Sequence, residues 1–159
     1  MLNTKVLGAF AALALLAACE SKTDTAATGA GAATSGSSIR PGSQEDLIAT
    51  AGSDRVFFDT DASAIRADQR PTLQKQASWL GGNAGVTVTL EGHADERGTR
   101  EYNLALGQRR ANAARDALVA GGVAGARIAT ISYGKDKPAA LGSTEDAWAQ
   151  NRRAVTVVR

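Results

Sequence analysis

From Gln44 onward, short apolar runs alternate with longer stretches of helical spacing, and this alternation restricts the chain to folds in which helices pack on one sheet. The spacing predicts helices over 44–51, 67–80, 99–120 and 144–150, and strands over 55–58, 86–90, 127–133 and 154–158. Pro71 falls near a first turn, where its missing N–H costs nothing. Gly81, Gly82 and Gly85 are expected to end the second helix, and Gly92 to close the second strand. Thr99 reads as the cap of the long helix, with Glu101 in its first turn and Gly121-Gly122 as its stop. Leu104, Ala111, Ala114 and Leu118 step by 7, 3 and 4 and predict its buried stripe. After the first short helix the order is β-α-β-α-β-α-β. It implies an α/β (α+β) two-layer sandwich with one mixed four-stranded sheet.

The remainder of the 159 residues has a different composition. Lys5 is followed by thirteen uncharged residues, 6–18, too few to span a membrane and the right number for the apolar part of a signal peptide. That run ends in Leu16-Ala17-Ala18-Cys19, with the chain's one cysteine at the expected cut. Residues 21–43 are Ala, Gly, Ser, Thr or Pro at 19 of 23 positions, so they bury too little apolar surface to offset ordering entropy. The expected organisation is a signal peptide over 1–18, a tether over 19–43 and one domain over 44–159.

One cysteine excludes an internal disulfide framework, and one cysteine with one histidine excludes the usual Cys/His zinc sites, so no cofactor is expected. Eighteen Lys and Arg against sixteen Asp and Glu give a formal charge of +2, too balanced for a protein that coats nucleic acid.

Polar density is highest in Glu91-Gly92-His93-Ala94-Asp95-Glu96-Arg97-Gly98-Thr99, between the second strand and the long helix. Asp95 falls just past a strand end, where open α/β sheets place their ligands. Tyr102, Leu106 and Arg110 step by four, so Arg110 shares a helix stripe with apolar groups. A fixed acid and a fixed guanidinium suit a zwitterion: the carboxylate takes an ammonium and the Arg fork takes a carboxylate. The same spacing equally allows Asp95 to cap the turn and Arg110 to form an ordinary ion pair.

Glu91-Gly92-His93-Ala94-Asp95, then Gly98, Tyr102-Asn103, Leu106, Arg110-Ala111, Tyr133-Gly134, Pro138 and Asn151-Arg152-Arg153, resemble the OmpA-like peptidoglycan-binding domain over about residues 54–158. Leu16-Ala17-Ala18-Cys19 resembles a bacterial lipobox, which implies lipid on Cys19, and Glu20 in place of Asp favours the outer membrane. With both features the chain is similar to the peptidoglycan-associated lipoprotein family. The resemblance implies non-covalent binding of meso-diaminopimelate in the wall's stem peptide. Asp95 would take its ammonium, Arg110 its carboxylate, and Asn103 and Leu106 would line the pocket. Asp61 in the loop after the first strand would also contact it, with Asp59 as the competing register. Ala94 stands where the family commonly has Thr. The same resemblance implies the Tol system, with TolB and TolA as partners, a periplasm-facing domain and a part in constriction at cell division.

Three rival readings attach to the same residues. One is a metal site at His93, Asp95 and Glu96, and another is a wall-remodelling enzyme using Glu91 and Asp95 as acid and base. The third is a nucleic-acid face formed by arginines 97, 100, 109, 110 and 115, most of which read instead as a solvated face. Asn151-Arg152-Arg153 reads as a helix end whose cations answer the dipole.

Overall fold

The computed structural model describes residues 39–159; the expected signal peptide, Cys19 and most of the tether lie outside the described residues. The chain runs α1 (Gln44–Ala51), β1 (Arg55–Phe57), α2 (Arg70–Gly82), β2 (Val88–His93), α3 (Arg100–Ala120), β3 (Ile128–Gly134), α4 (Glu145–Asn151) and β4 (Arg153–Val158). The strands form one sheet in the order β1-β4-β2-β3. β4 pairs antiparallel with both β1 and β2, while β2 and β3 are parallel and joined through α3. The mixed four-stranded sheet and the alternation of elements are therefore as expected.

Three of the four helices start where a side chain accepts a free N–H group, while α2 has Pro71 in its first turn and no side-chain cap. The Ser43 hydroxyl accepts from Asp46 N, Thr99 from Tyr102 N and Thr144 from Ala147 N. Ser43, and Gly42 N donating to the Asp46 carboxylate, belong to this folded unit, which therefore begins ahead of Gln44.

One face of the sheet is dry. Val56, Val88, Leu90, Ile128 and Ala154 meet Leu47, Leu73, Ala77, Leu80, Ala111, Ala114 and Leu118 of the helices. Gln76 and Thr156 are polar members of this core, and each has a partner: Thr156 Oγ1 donates to Gln76 Oε1 at 2.7 Å, and Gln76 Nε2 donates to Ser53 O at 2.9 Å.

Three local expectations change. α2 passes through Gly81 and Gly82 and ends at Asn83, whose backbone and side-chain N–H groups both reach Trp79 O. β2 starts at Val88 and continues through Gly92 to His93, because Gly92 keeps its ladder partner Ala154. Leu104 is only half-buried; the inner stripe of α3 is Asn103, Leu106, Gly107, Arg110, Ala111, Ala114 and Leu118.

Gly92 fixes the height of α3 over the sheet. A Cβ there would lie 1.8 Å from Gly107 O, and one on Gly107 would lie 2.4 Å from Ser132 Oγ. Helix and strand touch backbone to backbone, which sets the first turns of α3 directly beside the end of β2.

Candidate functional site

The loop 94–99 leaves β2 with its backbone already fastened. Ala94 N donates to Gly134 O at 2.8 Å, Asn103 Nδ2 to Arg97 O at 2.8 Å, and Lys135 Nζ to the carbonyls of Glu96 and Gly98. Gly98 turns the chain at φ +86°, a region that favours glycine, so that Thr99 can cap α3. Trp148 Nε1 donates to Glu96 Oε1 at 3.0 Å and ties the loop to α4.

Asp95 is 7% exposed and lies between two guanidinium groups. Arg97 donates to it three times, from its backbone N at 3.2 Å, from Nε at 3.1 Å and from Nη2 at 2.6 Å. Arg152 Nη1 approaches from the interior at 3.5 Å. Burial by itself would raise the Asp95 carboxyl, but the hydrogen bonds and charge of Arg97, with Arg152, bring it below the usual range. Asp95 is thus an anion at neutral pH, and one of the two expected alternatives, the turn cap, is present in the bond from Arg97 N.

Arg110 is wholly buried. Its Nε donates to Ala62 O at 2.8 Å, Nη1 to His93 O at 2.8 Å and Nη2 to Asp59 O at 3.1 Å, and its guanidinium carbon lies 5.3 Å from the centre of the Phe58 ring. Among the described residues no carboxylate pairs with it directly; Asp95 and Asp61 act on it through space. Burial lowers its pKa to about 10, with those two acids opposing the shift, so it remains a cation. The alternative of an ordinary ion pair at Arg110, with Asp95 or a neighbour, is therefore not what forms: Arg110 joins the loop after β1 to the end of β2 through carbonyl oxygens.

Asp61 stands at the opposite wall with φ 56°, the one positive-φ residue other than glycine among those described. The Tyr102 hydroxyl donates to its carboxylate, and Arg109 lies over the Tyr102 ring at 5.9 Å. Thr60, Asp61, Asp95, Arg97, Gly98, Tyr102, Asn103 and Leu106 together line an open cleft of about 290 Å³. Asp61, Asp95, Asn103 and Leu106, named from sequence, thus converge. Arg110 sits one turn beyond Leu106, behind that wall and not in its surface.

The sequence reading missed Arg97, Tyr102 and Arg152 as members of the site. Arg97 two residues after Asp95 and Tyr102 one turn before Leu106 were legible local signals. Arg152 stood within a quoted family motif, but nothing local tied it to Asp95, because its position depends on β4 pairing beside β2. Asn151-Arg152-Arg153 does lie at the end of α4, and all three are buried. Asn151 pins Ala139 and Ala140, Arg152 reaches Phe58 O and Glu145, and Arg153 reaches Lys137 O.

The rival constellations do not assemble. His93 is 2% exposed, packs on Tyr133 with ring centres 5.6 Å apart and lies 3.9 Å from Glu91, while Glu96 is turned to Trp148. Glu91 is not in the cleft with Asp95, and among the described residues no three His, Cys, Asp or Glu side chains gather as a metal site.

The OmpA family model matches residues 57–152. The chain is 54% identical to the "Peptidoglycan-associated lipoprotein" of Rhizobium meliloti (strain 1021) over 143 residues, covering 90% of this chain and 81% of that protein. It is 52% identical to the protein of the same name from Mesorhizobium japonicum, covering 96% and 90%. Among solved structures, the peptidoglycan-associated lipoprotein of Burkholderia pseudomallei superposes with a TM-score of 0.66 at 44% identity, covering 68% of this chain and 92% of that one. The C-terminal domain of Helicobacter pylori MotB gives 0.62 at 20% identity, covering 67% and 84%, a likeness of fold alone.

Proposed function

Since the chain belongs to the OmpA family, among its peptidoglycan-associated lipoproteins, we propose that it binds peptidoglycan non-covalently and fastens the outer membrane to the wall. As a member of that family it is not an enzyme. The ligand is meso-diaminopimelate of the stem peptide, seated in the cleft between β2, α3 and the loop after β1.

The observation that carries this reading is the placement of opposite charges around one cleft. The Asp95 and Asp61 carboxylates line it, and the Arg110 cation lies behind the Leu106 wall. Asp95 takes the free ammonium of the amino acid. Arg110 has three of its five N–H groups committed to carbonyls, which leaves two for a carboxylate, enough for one forked pair. Asn103, with its amide fixed by Arg97 O, and Leu106 shape the floor. A wall whose stem carries lysine lacks the side-chain carboxylate, so the buried cation goes unanswered and binding falls steeply.

Lipid on Cys19 supplies the other end of the link. Each buried methylene contributes about 0.8 kcal/mol, so several acyl chains hold the protein where a single short one would not. The residues after Cys19 and ahead of the folded unit then serve as the tether, with the domain facing the periplasm. In this role the protein works within the Tol system, with TolB and TolA as partners, and supports envelope constriction at division.

Co-sedimentation of the full-length protein, in detergent, with purified diaminopimelate-type wall tests the pocket. Asp95→Asn and Arg110→Lys should each abolish most pelleting while circular dichroism remains that of the parent, and lysine-type wall should pellet little of any of them. Undiminished pelleting by folded Asp95→Asn would remove the cleft from consideration.

A further inference from the structure

The carboxylate assigned to the ligand's ammonium is already occupied. Arg97 puts three N–H groups on Asp95, the shortest at 2.6 Å, and so fills the place that a guest cation would take. The two guanidinium groups around Asp95 differ in how firmly they are held. Arg152 is buried, anchored by Nε on Phe58 O and by Nη2 on Glu145, so its approach to Asp95 is permanent. The Arg97 side chain is 40% exposed and has no side-chain hydrogen bond except to Asp95. Its guanidinium carbon also lies 4.2 Å from the centre of the Trp148 ring, and the carboxylates of Glu96 and Glu145 are near enough to act on its charge. The Arg97 guanidinium thus rests on an aromatic face, with two acids beside it, while it bonds Asp95.

We infer that Arg97 is a built-in competitor of the ligand's ammonium: it closes Asp95, and binding exchanges it for the guest cation while the guanidinium keeps the Trp148 face it already covers. This rests on the reading of the cleft given above. The exchange is of one cation for another, so Asp95 is never left as a buried unpaired charge beside a departing partner. It also lowers the apparent affinity by the fraction of time that Arg97 spends on Asp95. The consequence is selectivity: only a guest that brings its own ammonium to Asp95 can displace the arginine, and a guest without one meets a closed carboxylate.

Calorimetric titration of the full-length protein in detergent with a diaminopimelate-containing muropeptide, its free amine either intact or acetylated, separates the possibilities. Arg97→Ala should bind the intact muropeptide about three- to tenfold more tightly than the parent, with Arg97→Lys between them. It should leave the weak binding of the acetylated form unchanged. Weaker or unchanged binding of the intact form by Arg97→Ala would overturn the competitor role, and would make Arg97 a ligand contact or a bystander. A gain of equal size on both forms would also overturn it, because displacement would not then depend on the ammonium. Asp95→Asn distinguishes failure of the underlying reading: if it binds the intact muropeptide as well as the parent does, the cleft does not hold the amine and the inference falls with it.

Discussion

The two charged ends of the cleft are built on opposite plans. Asp95 sits on a six-residue loop, and its main partner is a half-exposed arginine two positions along the chain. Arg110 sits on a long helix with no exposure, and its partners are three backbone carbonyls from the loop after β1 and the end of β2. The first end is a local arrangement that can exchange its partner at little cost to the fold. The second is a structural joint behind the Leu106 wall. A site can thus combine an adaptable half with a rigid half, and the rigid half is rigid because the fold depends on it.

The contrast breaks most readily at Arg110. Arg110→Ala leaves three carbonyls without a donor and a cavity under Phe58, and should cost about 4 kcal/mol in urea denaturation, enough to unfold the domain if its reserve is small. A loss below about 1 kcal/mol would show that Arg110 is not a joint.

Acid should act on the same joint through His93, whose carbonyl accepts from Arg110. Burial first, and then the charges of Arg153, Lys137 and Arg55, lower the His93 pKa from 6.5 to about 4, although a backbone interaction at Lys137 opposes them and Glu91 lies 3.9 Å away. The folded pKa lies below the unfolded one, so between about pH 6.5 and 4 the unfolded chain binds the extra proton. Stability should therefore be complete above pH 6.5 and fall by about 3 kcal/mol as the pH drops to 4. His93→Phe should flatten that slope in denaturation midpoints measured across the window. The Asp95 carboxyl, lowered below the ordinary carboxylate range, adds its own loss only at more acid pH.

Arg110→Lys keeps the charge but cannot span three carbonyls, and should cost about 2 kcal/mol. Asp95→Asn keeps the shape, leaves Arg152 facing a neutral amide, and should cost about 1 kcal/mol while removing wall binding. At the small end, Arg97→Ala should not move the urea midpoint measurably. A clear loss of stability there would mean that the loop is as structural as the helix, and the two ends would no longer differ in kind.

Much of this was legible in the sequence for a physical reason. Helix starts follow from side chains acting on N–H groups three residues away, so Thr99 announced that of α3, while the matching roles of Ser43 and Thr144 emerged with the structure. Strand identity follows from alternation over a few residues, which located β2 and β4 to within two residues of their observed starts. Gly92 shows where such reasoning fails. As a local signal it reads as a stop, but opposite Gly107 it is a point of contact that lets the strand continue. Asp95 could be named because motif and strand end coincide, whereas Asp61, Asn103 and Leu106 were named through the family resemblance alone. The fact that Arg110 points inward to carbonyls 48, 17 and 51 residues away has no local trace.

The sequence by itself determined the alternation of elements, the Thr99 cap of the long helix and the place of Asp95 just past a strand end, since each depends on interactions within a turn or two of chain. Only the tertiary structure decided that Arg152 backs Asp95, that Tyr102 fixes Asp61, and that Arg110 is a joint between the loop after β1 and the end of β2. Those outcomes depend on β4 pairing between β1 and β2 and on the backbone contact of Gly92 with Gly107, which bring distant residues together at distances no spacing rule contains.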